Sequence, residues 1–288
     1  MIRVTIGGLH LGLTAALWGI TLGTFAFAEE SRPRVVSLGG SVTETVVALG
    51  AADLLVGRDS TSNYPESILA LPDVGYIRAL SPEGVLSLTP DLILSEEGAG
   101  PVEAVSVLQS GGIPFVTMLG TFSAQGVLDK ITAVAAALNL EAEGEALVAK
   151  TAEGFAKAEA RAKSVTDPQS VLFVISLQGG RVMAGGSGSS ADGIIALAGG
   201  VNAVTGFEGY KQITDEAVIA AAPDVILMMD RGGELAISDE DVLSTPALAA
   251  TPAAKAGRII RMDGMLLLGF GPRTPESALA LNAALYGG

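Results

Sequence analysis

Two segments of this chain repeat each other at long range. SPEGVLSLTPDLIL, residues 81–94, returns as TDEAVIAAAPDVIL, residues 214–227. Glu83 matches Glu216, Pro90-Asp91 matches Pro223-Asp224, and both copies run into an apolar strand. In the first copy Ser81, Pro82 and Glu83 precede an apolar run. Pro in the first helical turn with an acid beside it suits a helix N-terminus. The Pro-Asp pair then ends the helix. A repeat so widely spaced is not a solenoid. It predicts two similar lobes, each built on the same helix-turn-strand unit. A Gly75-Tyr76 turn lies just ahead of the first copy, with Arg78 two residues after the tyrosine.

The rest of the pattern fits that frame. RVVSLGG, 34–40, reads as a strand ending in a tight turn, and Ser41 to Glu44 as a capping box for the next helix. A strand starts near Leu54, a turn-rich loop covers 58–66, and a helix over 101–111 leads to a strand over 113–118. A further helix spans about 123–138. Alternating strands and helices with short loops favour a parallel sheet covered on both faces. Residues 141–164 carry high helix propensity and charges on most turns, with an apolar stripe at Leu147, Val148, Ala152, Phe155, Ala156 and Ala160. They read as a long helix joining the lobes, because Asp167-Pro168 ends it and the strand-helix pattern restarts. SVLFVIS, 170–176, is a buried strand, 184–193 a Gly-rich turn, and SDED, 238–241, a solvated helix start. The expected organisation is a signal segment over 1–28, lobes over 29–140 and 168–288, and a connecting helix over 141–167.

The signal segment is read from a single basic residue, Arg3, an apolar region, and the small-x-small site Ala26-Phe27-Ala28. It takes with it the only His and the only Trp, His10 and Trp18. The chain has no Cys, so a lipid-modified Cys at the cleavage site, disulfides and thiolate chemistry all fall away. The expectation is a non-lipidated periplasmic protein. A formal net charge of −14 argues against nucleic acid and against anionic membrane surfaces. Without His or Cys the mature chain cannot build a Ser-His-Asp or Cys-His site or a His-ligated zinc. No phosphate-binding Gly-rich Lys motif occurs, and the Gly-Gly turns at 39–40 and 185–186 lack the dinucleotide fingerprint. A cleft between two α/β lobes that binds a ligand without reacting with it fits better than an enzyme.

The stretch from RVVSLGGSVTETVVALGAADLLVG through VGYIRALSPEGVLSLTPDLIL resembles the first lobe of the periplasmic haem-binding proteins of haemin ABC importers. The resemblance continues through SADGIIALAGGVNAVTGFEGY and DVILMMDRGGE and is strong again at RMDGMLLLGFGPRTPES. It implies the class III periplasmic binding protein fold: α/β, two similar lobes with parallel sheets joined by a single long helix. It also implies a monomeric carrier that takes haem b as its transported ligand. Such a carrier delivers haem to an inner-membrane ABC permease and its ATPase, and is fed indirectly by an outer-membrane receptor. The βα repeats alone are shared with cobalamin and ferric-siderophore carriers, which stay open as the alternative. An extracytoplasmic haem enzyme would need an acid-base group beside the iron, and no His exists to serve.

Haem iron is held by His, Cys, Met or Tyr. The mature chain offers Tyr64, Tyr76, Tyr210, Tyr286 and its Met residues. Tyr76 matches the family's iron-ligand position. Tyr64, followed by Pro65, reads as a loop residue that could wall the cleft. Arg78, at i+2 from Tyr76, falls on the same side of an extended piece and would favour the phenolate. Arg231 matches the family's second-lobe arginine and would bond the phenolate or a propionate. The family's occasional His ligand has no counterpart, so the iron is expected to be five-coordinate or to share a weak ligand such as Met or water. Glu83 and Glu216, one on each lobe, match positions that related cobalamin carriers use to dock on permease arginines.

Overall fold

The computed structural model describes residues 1–2, 32–230 and 236–287. Most of the expected signal segment, and Arg231, lie outside the described residues. The first half runs β1 (Val35–Leu38), α1 (Gly40–Ala48), β2 (Leu55–Arg58), α2 (Pro82–Leu86), β3 (Leu92–Glu96), α3 (Val102–Ser110), β4 (Phe115–Met118) and α4 (Ala124–Leu138). Helix α5 (Glu141–Lys163) follows. The second half runs β5 (Ser170–Gln178), β6 (Arg181–Gly185), α6 (Ser190–Leu197), β7 (Val201–Asn202), β8 (Tyr210–Ile213), α7 (Asp215–Ala221), β9 (Val225–Asp230), α8 (Asp239–Ser244), α9 (Pro246–Ala249), α10 (Pro252–Lys255), β10 (Ile259–Asp263), α11 (Gly264–Leu268) and α12 (Thr274–Tyr286).

The first sheet has the order β2-β1-β3-β4, and its pairings are parallel. All four residues of β1 are buried, as a central strand covered on both faces requires. The second sheet, β10-β9-β5-β6-β8 with β7 beside β5, is mixed. Its β10-β9-β5 part is parallel, but β5-β6 and β6-β8 are antiparallel. This corrects the expectation of two parallel sheets. Gly179 and Gly180, at φ of 60° and 76°, turn the chain straight back from β5 into β6.

The two copies of the repeat share their helix-capping contact and their aspartate contacts. Ser81 caps α2 by accepting from the Gly84 N–H, and Thr214 caps α7 by accepting from the Ala217 N–H. A non-glycine residue in the left-handed region stands directly before Pro-Asp in each copy: Thr89 (φ 45°), two residues past the Ser87 C-cap of α2, and Ala222 (φ 41°), itself the C-cap of α7. Each aspartate then clips the neighbouring central strand. The Arg34 N–H donates to Asp91 Oδ2 at 2.8 Å, and the Ser170 N–H to Asp224 Oδ2 at 2.9 Å. The aspartate N–H groups return the bond to the Arg34 and Ser170 carbonyls.

Helix α5, 23 residues and about 35 Å long, packs on α4 of the first half and on α6 and α12 of the second. Its buried side is Gly144, Thr151, Phe155 and Ala158, with Leu147 and Val148 half-buried. The expected stripe is therefore rotated, and Ala156 and Ala160 face water. The second correction concerns Ser41 and Glu44. Helix α1 starts one residue earlier than expected, at Gly40, with Gly39 as an N-cap that has no side chain to offer, so Ser41 and Glu44 lie inside the helix and their side chains bond elsewhere. The SDED segment does start a helix, α8, with Ser238 and Asp241 forming a capping box.

Candidate functional site

The loops that follow β1, β2, β3 and β4 all leave the carboxyl edge of the first sheet, where ligands of open α/β sheets bind. The β2–α2 connection, which carries Tyr64, Tyr76 and Arg78, is held there by two devices. The first is Asp59, fully buried. Its Oδ1 accepts from the Gly39 N–H (2.9 Å) and Ser62 Oγ (2.7 Å), and its Oδ2 from the Thr61 N–H (3.0 Å) and Thr61 Oγ1 (2.7 Å). The second is a zip between residues 58–60 and 72–75. The Arg58 N–H donates to the Pro72 carbonyl, Val74 N–H to the Arg58 carbonyl, and Ser60 N–H to the Gly75 carbonyl. Arg58, itself buried, also pairs with Asp73 at 3.1 Å.

Tyr76 opens a turn closed by the Ala79 N–H on its carbonyl, at 2.7 Å. Val74, Ile77 and Leu80 peg the loop to the core, and Tyr76 and Arg78 point out of it, Tyr76 with 49% of its surface exposed. Leu80 and Ile77 are bonded in turn to Gly100, so the loop is braced by the β3–α3 connection.

The four tyrosines have different standing. The Tyr286 hydroxyl donates to the Gly199 carbonyl (2.7 Å) and accepts from the Gln169 N–H. The Tyr210 hydroxyl lies 2.7 Å from Ser190 Oγ and accepts from the Ala191 N–H. Burial pushes the Tyr210 phenol above its ordinary range, against the Ser190 and Ala191 bonds and the charge of Arg78. Tyr64 lies under the Arg273 guanidinium, 3.4 Å from the ring centroid. It lines a cavity of about 830 Å³ with Val47, Leu147, Lys150 and Leu279, among others. The lining of that cavity does not include Tyr76 or Arg78. Among the four tyrosines, all of them described, only Tyr76 is half-exposed with neither a hydrogen-bond partner for its hydroxyl nor an overlying cation.

The second half meets this edge through the segment after β10. Gly40, the first residue of α1, packs under the Met265 methyl so tightly that a Cβ there would overlap it. Glu44 accepts from Arg273 Nε (2.9 Å), Nη2 (2.8 Å) and the Arg273 N–H (3.1 Å). Lys130, buried on α4, donates to Ser41 Oγ (2.7 Å), Glu96 Oε1 (2.8 Å) and the Phe270 carbonyl (3.3 Å). Sequence reasoning missed these groups. The signal for Lys130 was its position three residues after Val127 and four before Val134, on the buried face of α4.

Glu83 and Glu216 are exposed at the second position of α2 and α7. Each carboxyl is held below the ordinary range, chiefly by the backbone at its own helix start and then by the capping hydroxyl of Ser81 or Thr214. Among the described residues no group of His, Cys, Asp and Glu could hold a metal ion, and no helix is long and apolar enough to cross a membrane.

The periplasmic binding protein family matches residues 35–266. The haem-binding protein RhuT of Roseiflexus sp. RS-1, solved in apo form, is 39% identical with a TM-score of 0.84, covering 88% of this chain and 98% of its own. The haem-binding protein BhuT, solved with two haems, is 39% identical with a TM-score of 0.83, over 88% of this chain and 97% of its own. An uncharacterized ABC transporter substrate-binding lipoprotein of Bacillus subtilis, YvrC, is 27% identical over 88% of this chain and 80% of its own length. The vitamin B12-binding protein of Yersinia pestis is 37% identical over 109 residues, which span 38% of each chain. The chain belongs to the periplasmic binding protein family, whose members bind solutes for transport and are not enzymes.

Proposed function

We propose that this protein captures haem in the periplasm, in the cleft at the carboxyl edges of its two sheets, and delivers it to an inner-membrane ABC permease. Tyr76 supplies the iron ligand through its phenolate oxygen. The observation that carries this reading is the selection among tyrosines: Tyr210 and Tyr286 are tied into the fold, Tyr64 is covered by Arg273, and Tyr76 is presented on a braced turn. The solved haem-binding proteins that share this fold at 39% identity support it. Arg78 leaves the same turn and brings a positive charge to the cleft, where it suits a ligand that carries two propionates. Arg231 joins the site by resemblance alone, as a partner for the phenolate or a propionate.

Tyr76→Phe keeps the ring and removes the oxygen. With haemin added, the high-spin ferric charge-transfer band should disappear and affinity should fall. An unchanged spectrum in Tyr76→Phe, with loss of the band in Tyr64→Phe, would assign the iron to the other exposed tyrosine. The match to a vitamin B12-binding protein over part of the chain supports a second reading, a cobalamin carrier. Titration with cyanocobalamin beside haemin separates the two.

A further inference from the structure

We infer that Lys130 and Arg273 are positioning residues for the cleft: they bolt the segment after β10 to α1 and fix the separation of the two cleft walls. Two polar bolts lie one helical turn apart on α1. At Ser41 the buried Lys130 ammonium gathers Ser41 Oγ and Glu96 Oε1 from the first half and the Phe270 carbonyl from the second. At Glu44 the carboxylate takes the Arg273 fork and the Arg273 N–H together, so both backbone and side chain of that residue are held. A planar guanidinium gripped in this way has little freedom to rotate, and the Tyr64 ring under it removes more.

The segment between the bolts is itself rigid. Phe270 is 1% exposed, stands at φ 51°, and meets Phe122 of the β4–α4 loop edge-on at 5.2 Å. The strained backbone persists because its carbonyl is held by Lys130 and its ring by the core. That core crosses between the halves: Val127 and Ile131 of α4 share one buried cluster with Phe155, Ile194, Leu267 and Phe270. Gly271 approaches Ser41 and Glu44 so closely that a Cβ would crowd both. A polar pair on each side of an apolar seam resists both sliding and opening.

The absence of Cys makes the test clean. Glu103→Cys on α3 and Lys255→Cys on α10, both exposed, carry spin labels, and pulsed electron resonance reads the distance between them. The unaltered joint should give one narrow distribution. Lys130→Met with Glu44→Gln should give a broader or shifted one. Arg273→Lys, which keeps the charge and gives up the fork, should give a smaller change of the same kind and serves if the double variant does not fold. A distribution of unchanged centre and width in the folded variants overturns the proposal. The second arm rests on the haem reading: loaded with haemin, the variants should release it to apomyoglobin faster than the parent, with the Tyr76 spectrum unchanged. If the parent takes up no haemin, the haem reading fails while the label distances still decide the joint.

Discussion

Glu44 accepts three hydrogen bonds from one residue 229 positions later, Arg273. Four residues of sequence, Ser-Val-Thr-Glu, have the form of a capping box, and in isolation that is their best reading. The structure uses the same serine and glutamate for long-range contacts instead. The helix begins at Gly40 with Gly39 as its cap, which places Ser41 in the first turn and leaves both side chains to the tertiary contacts; a carboxylate left unpaired in this seam would be costly.

Removing one member of the pair should therefore be expensive. Glu44→Ala is expected to lower stability by about 3 kcal/mol, because it strands the Arg273 guanidinium between Tyr64 and the seam. Arg273→Ala should cost a similar amount. Urea unfolding of both single variants and the double variant checks this. The double variant should be more stable than additivity demands by roughly 1 kcal/mol or more. Strict additivity would mean that the two side chains act independently.

The repeat yields a backbone prediction. Thr89 and Ala222 occupy the left-handed region at equivalent positions before Pro-Asp, where a Cβ is unfavourable by about 1–2 kcal/mol. Glycine relieves that strain and returns part of the gain as unfolded-chain entropy. Ala222→Gly should raise stability by about 0.5 kcal/mol, and Thr89→Gly by somewhat more because Thr is β-branched. A fall in the melting temperature of both variants would show that the left-handed geometry is not kept in solution.

Legibility in the sequence followed locality. Helix starts, the Pro-Asp breaks and the buried strands depend on neighbours a few residues away, and they were read from the chain. The β5–β6 hairpin was legible too, since LQ-GG-RVMA is two runs around Gly-Gly, but the expectation of a second parallel sheet masked it. Lys130, Asp59 and the Glu44–Arg273 pair were not legible. Their partners lie far along the chain or in turns whose closure no periodicity reports. Tyr76 and Arg78 are legible as a pair from their i, i+2 spacing, and the structure exposes both with Ile77 buried between them; the resemblance rather than the spacing names the tyrosine.

Tyr210 links the fold to alkaline pH. Burial raises its pKa, so the folded state favours the neutral phenol. Its contribution is fully present below the unfolded value, about pH 10, and is lost as pH rises from there through the folded value. Unfolding experiments above pH 9 should show a loss of stability that Tyr210→Phe reduces. The variant forfeits the bond to Ser190 at neutral pH, so it should start lower and fall less. Parallel curves for the two proteins would contradict the assignment.

The last prediction concerns the permease. Glu83 and Glu216 occupy the same position in the two copies, each exposed, each at the second residue of a short helix, each beside a capping hydroxyl. Helix-dipole stabilisation of about 0.3–1 kcal/mol accounts for either glutamate alone. It accounts less well for their register across two halves of the chain. Two fixed carboxylates suit a two-fold partner that presents a cation to each, with charge complementarity setting encounter and register. Their lowered pKa keeps both ionised below the ordinary carboxylate range, near pH 4.3. Association with the permease should thus hold from neutral pH down to about pH 5, and should weaken with salt, which screens exposed charges beyond about 8 Å. Glu83→Ala with Glu216→Ala should leave haemin binding intact and weaken association with permease in nanodiscs. Normal uptake by the double variant would reduce both residues to helix-start glutamates.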